Sequence, residues 1–540
     1  MPQCLHQLIR QHLEPVTDAV SLTLRAADRP ALLIKDRVIT YRQLNRQLLS
    51  VAAAWQHQGI EVGERVGIYL PKVAEAVISC FAASAAGLSF VPVNPILKPP
   101  QVEHIINDCT MSVLVTQRAR LKTLLPRLGG CPSLRTIVLI DGWTEEDRQA
   151  VPSSVNLFAF SELIDSQQQP EHCGNDQQVA AILYTSGSTG SPKGVVLSQR
   201  NMMIGAASVA QYLANDSNDC LLALLPLSFD YGFSQLTTAF AVGASVVLLE
   251  YLMPRDVIKA TAKYPVTGIA AVPPLWRQLA ELDWPEQHRL RYWTNSGGHL
   301  PPTVLSKLQQ RLPTVQPVLM YGLTEAFRST YLPSAMLAQK PSSMGIAIPH
   351  SELLIINGQG QPCPPGVTGE LVHRGPLVAQ GYWQDCARTA QRFKPLPSWV
   401  DNYCPDELAV WSGDQAYCDD DGCFYFVGRN DEMIKTSGYR VSPGEIEHVL
   451  QACPLIEEVI AFGVSDEQLG QKIIIVASHS AESDNVARQA IALFCRQKMP
   501  AYMLPADIVL SAALARNPNG KIDRSGIAKG YSAAQAELGK

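Results

Sequence analysis

No Cys-x-x-Cys pair occurs anywhere in these 540 residues, and the thirteen cysteines are an odd number at irregular spacing. Cys418 and Cys423 are close, but no complementary Cys or His pair follows at zinc-ligand spacing, so no structural zinc is expected. What remains is a set of buried free thiols in a reducing compartment. An excess of positive charge is also missing. With 44 Lys and Arg against 49 Asp and Glu the net charge is −5, which excludes a globally basic nucleic-acid binder. Unbroken hydrophobic runs are missing too. The longest uncharged stretch, Ala76–Leu97, is interrupted by Gly87, Pro92 and Pro95, so it reads as a buried helix entering a strand, not a membrane span. The first residues show no basic segment followed by an apolar one, so no signal peptide is expected and a cytoplasmic protein is the default.

What is present is an alternation. RVGIYL (65–70) reads as a strand, VAEAVISCFAASAAG (73–87) as a helix, SFVPVN as a strand, QVEHIINDC as a helix and MSVLVTQ as a strand. Near-continuous apolar strands between helices indicate parallel sheets covered on both faces. The rhythm returns at CLLALLP, ASVVLLEY, VTGIAAVP and QPVLMYG, so two such sheets are expected before about residue 345. Short strands between Gly and Pro turns then predict a β-rich subdomain over about 345–430. After the polar connector Gly428-Arg429-Asn430-Asp431, residues 431–540 carry their own helix–strand pattern. The expected architecture is α/β over 1–430, with a small α+β domain over 431–540 that moves about the connector.

The segment richest in chemistry is Tyr184–Gly194, YTSGSTGSPKG, set between two apolar strands. Glycines let backbone N–H groups approach an anion, hydroxyls add donors, and Lys193 adds a point charge. No GxxxxGK[ST] register fits, so it is not a Walker loop. Alone, such a stretch could also be a polar hairpin.

It does not stand alone. YGLTE at 321–325, SGD at 412–414, GRNDEMIK at 428–435, SGYRVSPGEIE at 437–447 and NPNGKIDR at 517–524 follow in order. With them the chain resembles the AMP-forming adenylating superfamily of acyl-CoA synthetases, luciferases and nonribosomal-peptide adenylation domains. The resemblance implies an ATP- and Mg²⁺-dependent enzyme. It implies that Thr185, Ser186, Gly187, Ser188, Thr189, Gly190 and Lys193 cradle the β- and γ-phosphates. Tyr321 and Gly322 would face adenine, Thr324 the α-phosphate, and Glu325 the metal. Asp414 would accept the ribose hydroxyls, with Arg429 beside it, and Ser296, Gly297 and Gly298 would wall the adenine and acyl pockets. Lys521 would bridge the substrate carboxylate and the α-phosphate, Asp431 would be the hinge, and Lys435 and Gly438 would lie on the thioester-forming face.

The acyl group is read from Leu225–Phe240, LPLSFDYGFSQLTTAF. Phe229-Asp230 resembles the Phe-Asp of amino-acid-activating domains, where the carboxylate meets the α-ammonium. A lone carboxylate in an apolar run is costly unless it meets a cation. Asp230 could otherwise be an N-cap for the helix that follows. Tyr231 and Ser234 join Phe229 and Asp230 as expected substrate contacts. The string looks most like stand-alone ligases that load L-proline onto a carrier protein. Only 19 residues follow Lys521, and they hold no carrier unit, so the expected acceptor is the phosphopantetheine thiol of a separate carrier protein. The alternatives are an acyl- or aryl-CoA ligase using free CoA, and a non-catalytic scaffold.

Overall fold

Strands Ser89–Pro92, Val113–Thr116 and Thr136–Leu139 are buried along their whole length. Such strands belong inside a sheet covered on both faces. With Arg65–Ile68 and Asn156–Ala159 they make the parallel part of an eight-stranded sheet in the computed structural model. The model describes residues 3–13, 26–164, 169–171, 174–185, 192–298, 300, 302–401, 404, 406–429, 433–441, 443–479, 483–515, 522 and 524–538. Val179–Thr185 runs parallel beside Ser89–Pro92, and Lys193–Ser198 folds back antiparallel, placing Thr185 opposite Lys193.

The second sheet has nine strands. Pro30–Ile34, Ser245–Leu248, Cys220–Ala223, Gly268–Ala271, Tyr292–Asn295 and Gln316–Tyr321 are parallel, and antiparallel strands close both edges. Helix Asp230–Val242 packs on this sheet while its Phe233 stacks on Phe90 of the first sheet, ring centroids 4.9 Å apart. Every residue from Asp230 to Phe240 is buried. The helix is therefore buried on all sides, as a helix between two sheets must be. Losing the Phe233 ring would cost about 3–5 kcal/mol. Gly232 is required in its first turn, because a Cβ there would lie 2.1 Å from the Pro226 carbonyl oxygen.

The two α/β sheets expected from the apolar rhythm are both formed. Two pairings were not legible. Pro30–Ile34 joins the second sheet beside Ser245–Leu248, some two hundred residues away, and Gly381–Tyr382 leaves the β-rich region to edge the first sheet on Lys193–Ser198. The β-rich region is an antiparallel sheet of Glu352–Ile356, Gly369–Arg374, Leu408–Cys418, Phe393–Pro395 and Phe424–Arg429. Beyond it, Ile434–Thr436, Tyr439–Val441, Ile456–Asp466, Gly470–His479 and Asp507–Leu510 form a fourth sheet with its own buried core. Helices Pro443–Gln451, Asp484–Lys498 and Arg524–Leu538 accompany it. No described helix is long and apolar enough to cross a membrane.

Candidate active site

A cavity of roughly 530 Å³ opens where the first sheet, the second sheet and the C-terminal sheet meet. The hairpin from Val179–Thr185 to Lys193–Ser198 delivers Thr185 and Lys193 to its wall, and the end of strand Gln316–Tyr321 delivers Gly322, Thr324 and Glu325. Lys193 Nζ lies 3.1 Å from Glu325 Oε1 and donates to the Tyr382 hydroxyl at 2.7 Å. That hydroxyl donates in turn to Glu325 Oε1 at 2.7 Å. Burial pushes the Glu325 carboxyl up, but the Lys193 ammonium and the Tyr382 hydroxyl outweigh it and hold it at about 2. Glu325 is therefore a carboxylate at neutral pH. The Thr185 hydroxyl is buried and has no hydrogen-bond partner among the described residues, which suits a donor waiting for a phosphate oxygen.

Just past Glu325 the backbone is strained. Phe327 has φ 60° and ψ −60°, and Arg328 N–H donates to the Ala326 carbonyl at 2.6 Å. This is a γ-turn with positive φ, a rare conformation. The Phe327 ring seats on Gly205, where a Cβ would come within 2.5 Å of it. The turn lets neighbouring residues face two ways: Glu325 meets Lys193, and Arg328 meets Asp230. Arg328 Nη1 is 3.0 Å from Asp230 Oδ2, with side-chain exposures of only 2% and 4%. Arg328 Nη2 donates to Ser234 Oγ at 3.2 Å, and the guanidinium lies 4.6 Å above the Tyr231 ring. Burial raises the Asp230 carboxyl, against the pull of Arg328, the Tyr231 N–H and Arg440.

A second cavity, roughly 1130 Å³, shares Gly297, Gly322, Gly438 and Arg440 with the first and is lined by Gly298 and Tyr321. The Tyr321 hydroxyl donates to Asp414 Oδ2, and the Asp414 N–H donates to Ser412 Oγ at 3.1 Å. Asp414 is buried and in register with Arg429 on the neighbouring strand. From the C-terminal sheet comes the turn Ser437-Gly438 between Ile434–Thr436 and Tyr439–Val441, with φ 52° and 82°. Two positive φ values are what a two-residue hairpin turn needs. A Cβ on Gly438 would lie 2.8 Å from Val272 Cγ2, so the turn is pressed against the first cavity's wall. Arg440 Nη2 reaches the Gly322 carbonyl at 3.5 Å.

Residues 22–383 match the family described as AMP-binding enzyme, and residues 445–521 match the AMP-binding enzyme C-terminal domain. The chain belongs to the AMP-binding enzyme family. Its relatives are ligases and synthetases, and it is an AMP-forming adenylating enzyme. It is 30% identical over 513 residues to syringomycin synthase SyrB1 of Pseudomonas syringae pv. syringae, covering 92% of this chain and 78% of that one. It is 28% identical over 524 residues to a linear gramicidin synthase of Brevibacillus parabrevis, covering 96% of this chain but only 9% of that much longer protein. The fold is shared with the amide bond synthetase McbA from Marinactinospora thermotolerans, at a TM-score of 0.82, 22% identity and coverage of 97% and 99%.

Within this AMP-binding enzyme the structure brings Thr185, Lys193, Phe229, Asp230, Ser296, Gly297, Gly322, Thr324, Glu325 and Gly438 to the first cavity. Gly298, Tyr321 and Lys435 line the second. Ser186, Gly187, Ser188, Thr189, Gly190, Asp431 and Lys521, with the side chain of Arg429, lie outside the described residues. The expected contacts of Tyr231 and Ser234 are not seen at either cavity, and the alternative reading of Asp230 as a helix cap falls away. Tyr231 and Ser234 do not line either cavity: Tyr231 hydrogen-bonds Thr294, and Ser234, one turn beyond Asp230, holds Arg328. Asp230 is not an N-cap: Phe229 occupies that position, and Asp230 is the first helical residue. Nor is Asp230 a carboxylate without a cation, since Arg328 supplies one.

Arg328, Arg440 and Tyr382 are the site residues that sequence reasoning missed. Arg328 had a faint signal, a single charge in the neutral run Ala326–Leu332 directly after YGLTE. Tyr382 had none, because it reaches Glu325 through pairing of strands far apart in sequence. No group of three or more His, Cys, Asp or Glu side chains among the described residues could cage a metal. An ionised Glu325 in this cavity fits Mg²⁺, which prefers few protein oxygens and completes its shell with phosphate and water.

Proposed function

We propose that this AMP-binding enzyme joins a small amino acid to ATP and passes the aminoacyl group to the phosphopantetheine thiol of a separate carrier protein, with L-proline as the first candidate. The observation that carries the reading is Asp230, a buried carboxylate in the same cavity as Lys193, Thr324 and Glu325. A fatty chain would gain nothing from a charged pair there and would leave it poorly solvated. The likeness to syringomycin and gramicidin synthases supports the same direction.

In the first step an oxygen of the substrate carboxylate attacks the α-phosphorus of ATP in line, and the bond to the pyrophosphate oxygen breaks. Thr185 and Lys193 hold the departing phosphates, and Thr324 positions the α-phosphate. Lys521, assigned by its motif, bridges carboxylate and α-phosphate. Asp414, fixed by Tyr321, holds the ribose. Bound at Glu325, Mg²⁺ supplies neutralising charge to the phosphate oxygens. In the second step the thiol sulfur attacks the acyl carbonyl carbon and AMP leaves, the thiol proton being lost. On this reading the thiol arm enters beside the Ser437-Gly438 turn, which lines the first cavity and presses on Val272.

Pyrophosphate exchange over the common amino acids, acetate, benzoate, butyrate and octanoate tests the acid, and transfer to a phosphopantetheinylated carrier protein against free CoA tests the acceptor. An amine-free acid exceeding every amino acid refutes the reading. One observation favours the second reading, an acyl- or aryl-CoA ligase: Arg328 already supplies a cation to Asp230, so the cavity does not need one from its substrate.

A further inference from the structure

We infer that Arg328 is the positioning residue that keeps Asp230 ionised and aimed at the substrate's ammonium group, an inference that rests on the amino-acid reading above. The guanidinium is fixed from several sides. Nη1 donates to Asp230 Oδ2 at 3.0 Å and to the Phe327 carbonyl at 2.9 Å, Nη2 donates to Ser234 Oγ at 3.2 Å, and Tyr231 lies beneath it. The strained turn at Phe327 sets the direction from which it arrives.

Its chemical role follows from where Asp230 sits. A carboxyl group this deeply buried takes up a proton unless a fixed positive charge accompanies it. A protonated carboxyl has lost most of its attraction for an ammonium ion. Arg328 is the largest charge acting on Asp230, and the other charged group is Arg440, which comes from the C-terminal sheet. Among the described residues, the phenols of Tyr231 beside the pair and of Tyr212 beside Arg328 are both pushed upward by burial and so neutral. Arg328 does not exhaust the carboxylate. Ionised, it accepts about four hydrogen bonds. One comes from Arg328 and one from the Tyr231 backbone, so capacity remains for a substrate N–H. The pair thus acts as a prepared receptor for the amine: the guanidinium holds the charge in place before the substrate arrives, and the substrate adds a second cation to the same carboxylate.

The test is steady-state pyrophosphate exchange with the preferred amino acid across neutral pH, where the free amino acid's amine stays protonated because its own carboxylate raises it above the peptide α-amino value. Wild type, Arg328→Met, Arg328→Lys, Asp230→Asn and the double variant Asp230→Asn with Arg328→Met are compared. Arg328→Met is expected to raise the amino-acid KM about tenfold or more near neutrality, with the ATP KM within about twofold of wild type. That KM should fall again as pH rises and Asp230 ionises without help. Arg328→Lys, which keeps the charge, should restore most of the affinity and flatten the pH profile. In the Asp230→Asn background Arg328→Met should add no further loss, because the two residues act through one group. An Arg328→Met KM within twofold of wild type across the range overturns the inference. So does a raised KM that does not change with pH, the mark of a structural defect. Failure of the underlying reading shows separately, in the wild-type enzyme preferring an amine-free acid, and takes the inference with it.

Discussion

Lys193 and Glu325 meet at 3.1 Å, and the Tyr382 hydroxyl is hydrogen-bonded to both. The pair joins the hairpin that bears Lys193 to the YGLTE segment. Because the folded Glu325 carboxyl sits near 2, below its unfolded value of about 4.3, it stabilises the fold fully above that value. The contribution is lost as pH falls through about 2 to 4. Lys193→Ala should raise the Glu325 carboxyl and shrink this share of the acid-induced loss. It should also lower pyrophosphate exchange by about 10²–10³, the scale of a lost charge partner for the transition state. Denaturant midpoints at neutral and acid pH check the first part. An acid dependence identical to wild type would mean that Lys193 does not hold Glu325 ionised.

The Tyr382 hydroxyl can be removed while its ring is kept. Tyr382→Phe should leave the edge strand on Lys193–Ser198 intact and cost about 1 kcal/mol, the worth of one ordinary hydrogen bond. Its sharper effect should be on the metal, since Glu325 then has one partner fewer to exchange for Mg²⁺. A lower Mg²⁺ concentration for half-maximal exchange is expected. An unchanged Mg²⁺ requirement would show that the hydroxyl is structural alone.

Gly438 offers a separation of the two half-reactions. Its φ of 82° and the 2.8 Å that would separate an added Cβ from Val272 leave no room for a side chain. Gly438→Val should obstruct this arrangement of the C-terminal sheet, which places its turn at the cavity where the proposed function has the thiol enter. Pyrophosphate exchange should stay within a few-fold of wild type while thioester formation falls about 10²-fold. Equal loss in both assays would mean that the contact is not specific to the second step.

Much of the site was legible because its parts lie in short segments. YGLTE puts Tyr321 through Glu325 at one strand end, and the hairpin bearing Thr185 and Lys193 reads as two apolar strands around a polar loop. The apolar rhythm likewise announced the parallel sheets, since fully buried strands such as Val113–Thr116 have no polar face to mislead. What escaped depends on pairing across the chain. Tyr382 reaches Glu325 from 57 residues away, and Arg328 reaches Asp230 from 98. The periodicity of helix Asp230–Val242 was no guide either: buried on every side, it did not reveal that Tyr231 and Ser234 stay out of the cavity lining.

Lys521 lies outside the described residues, so its prediction stands on the NPNGKIDR motif alone. If it serves only the attack of carboxylate on phosphorus, Lys521→Ala should lower adenylation by about 10²–10³. Transfer from a supplied acyl-adenylate to the thiol should largely survive. Comparable loss in both half-reactions would remove its assignment to the first.

The substrate question turns on Asp230, and the ion pair decides how it can be asked. Asp230→Ala would leave the Arg328 guanidinium buried without its carboxylate, a loss of about 3–5 kcal/mol that could unfold the site and mimic loss of substrate binding. Asp230→Asn keeps the shape and a hydrogen-bond acceptor while removing the charge. Adding Arg328→Met makes the pair neutral, which should recover most of any stability lost by Asp230→Asn alone. If Asp230 meets the substrate's ammonium, Asp230→Asn should lower amino-acid-dependent exchange by about 10² or more, and restoring stability in the double variant should not restore activity. Discrimination among small amino acids should be weaker, about 1–3 kcal/mol per methylene, because it depends on apolar contact. Thermal midpoints and exchange rates measured on the same preparations separate the two effects. Should Asp230→Asn retain wild-type exchange with amino acids, the carboxylate serves only to neutralise Arg328, and the acyl- or aryl-CoA ligase reading takes its place.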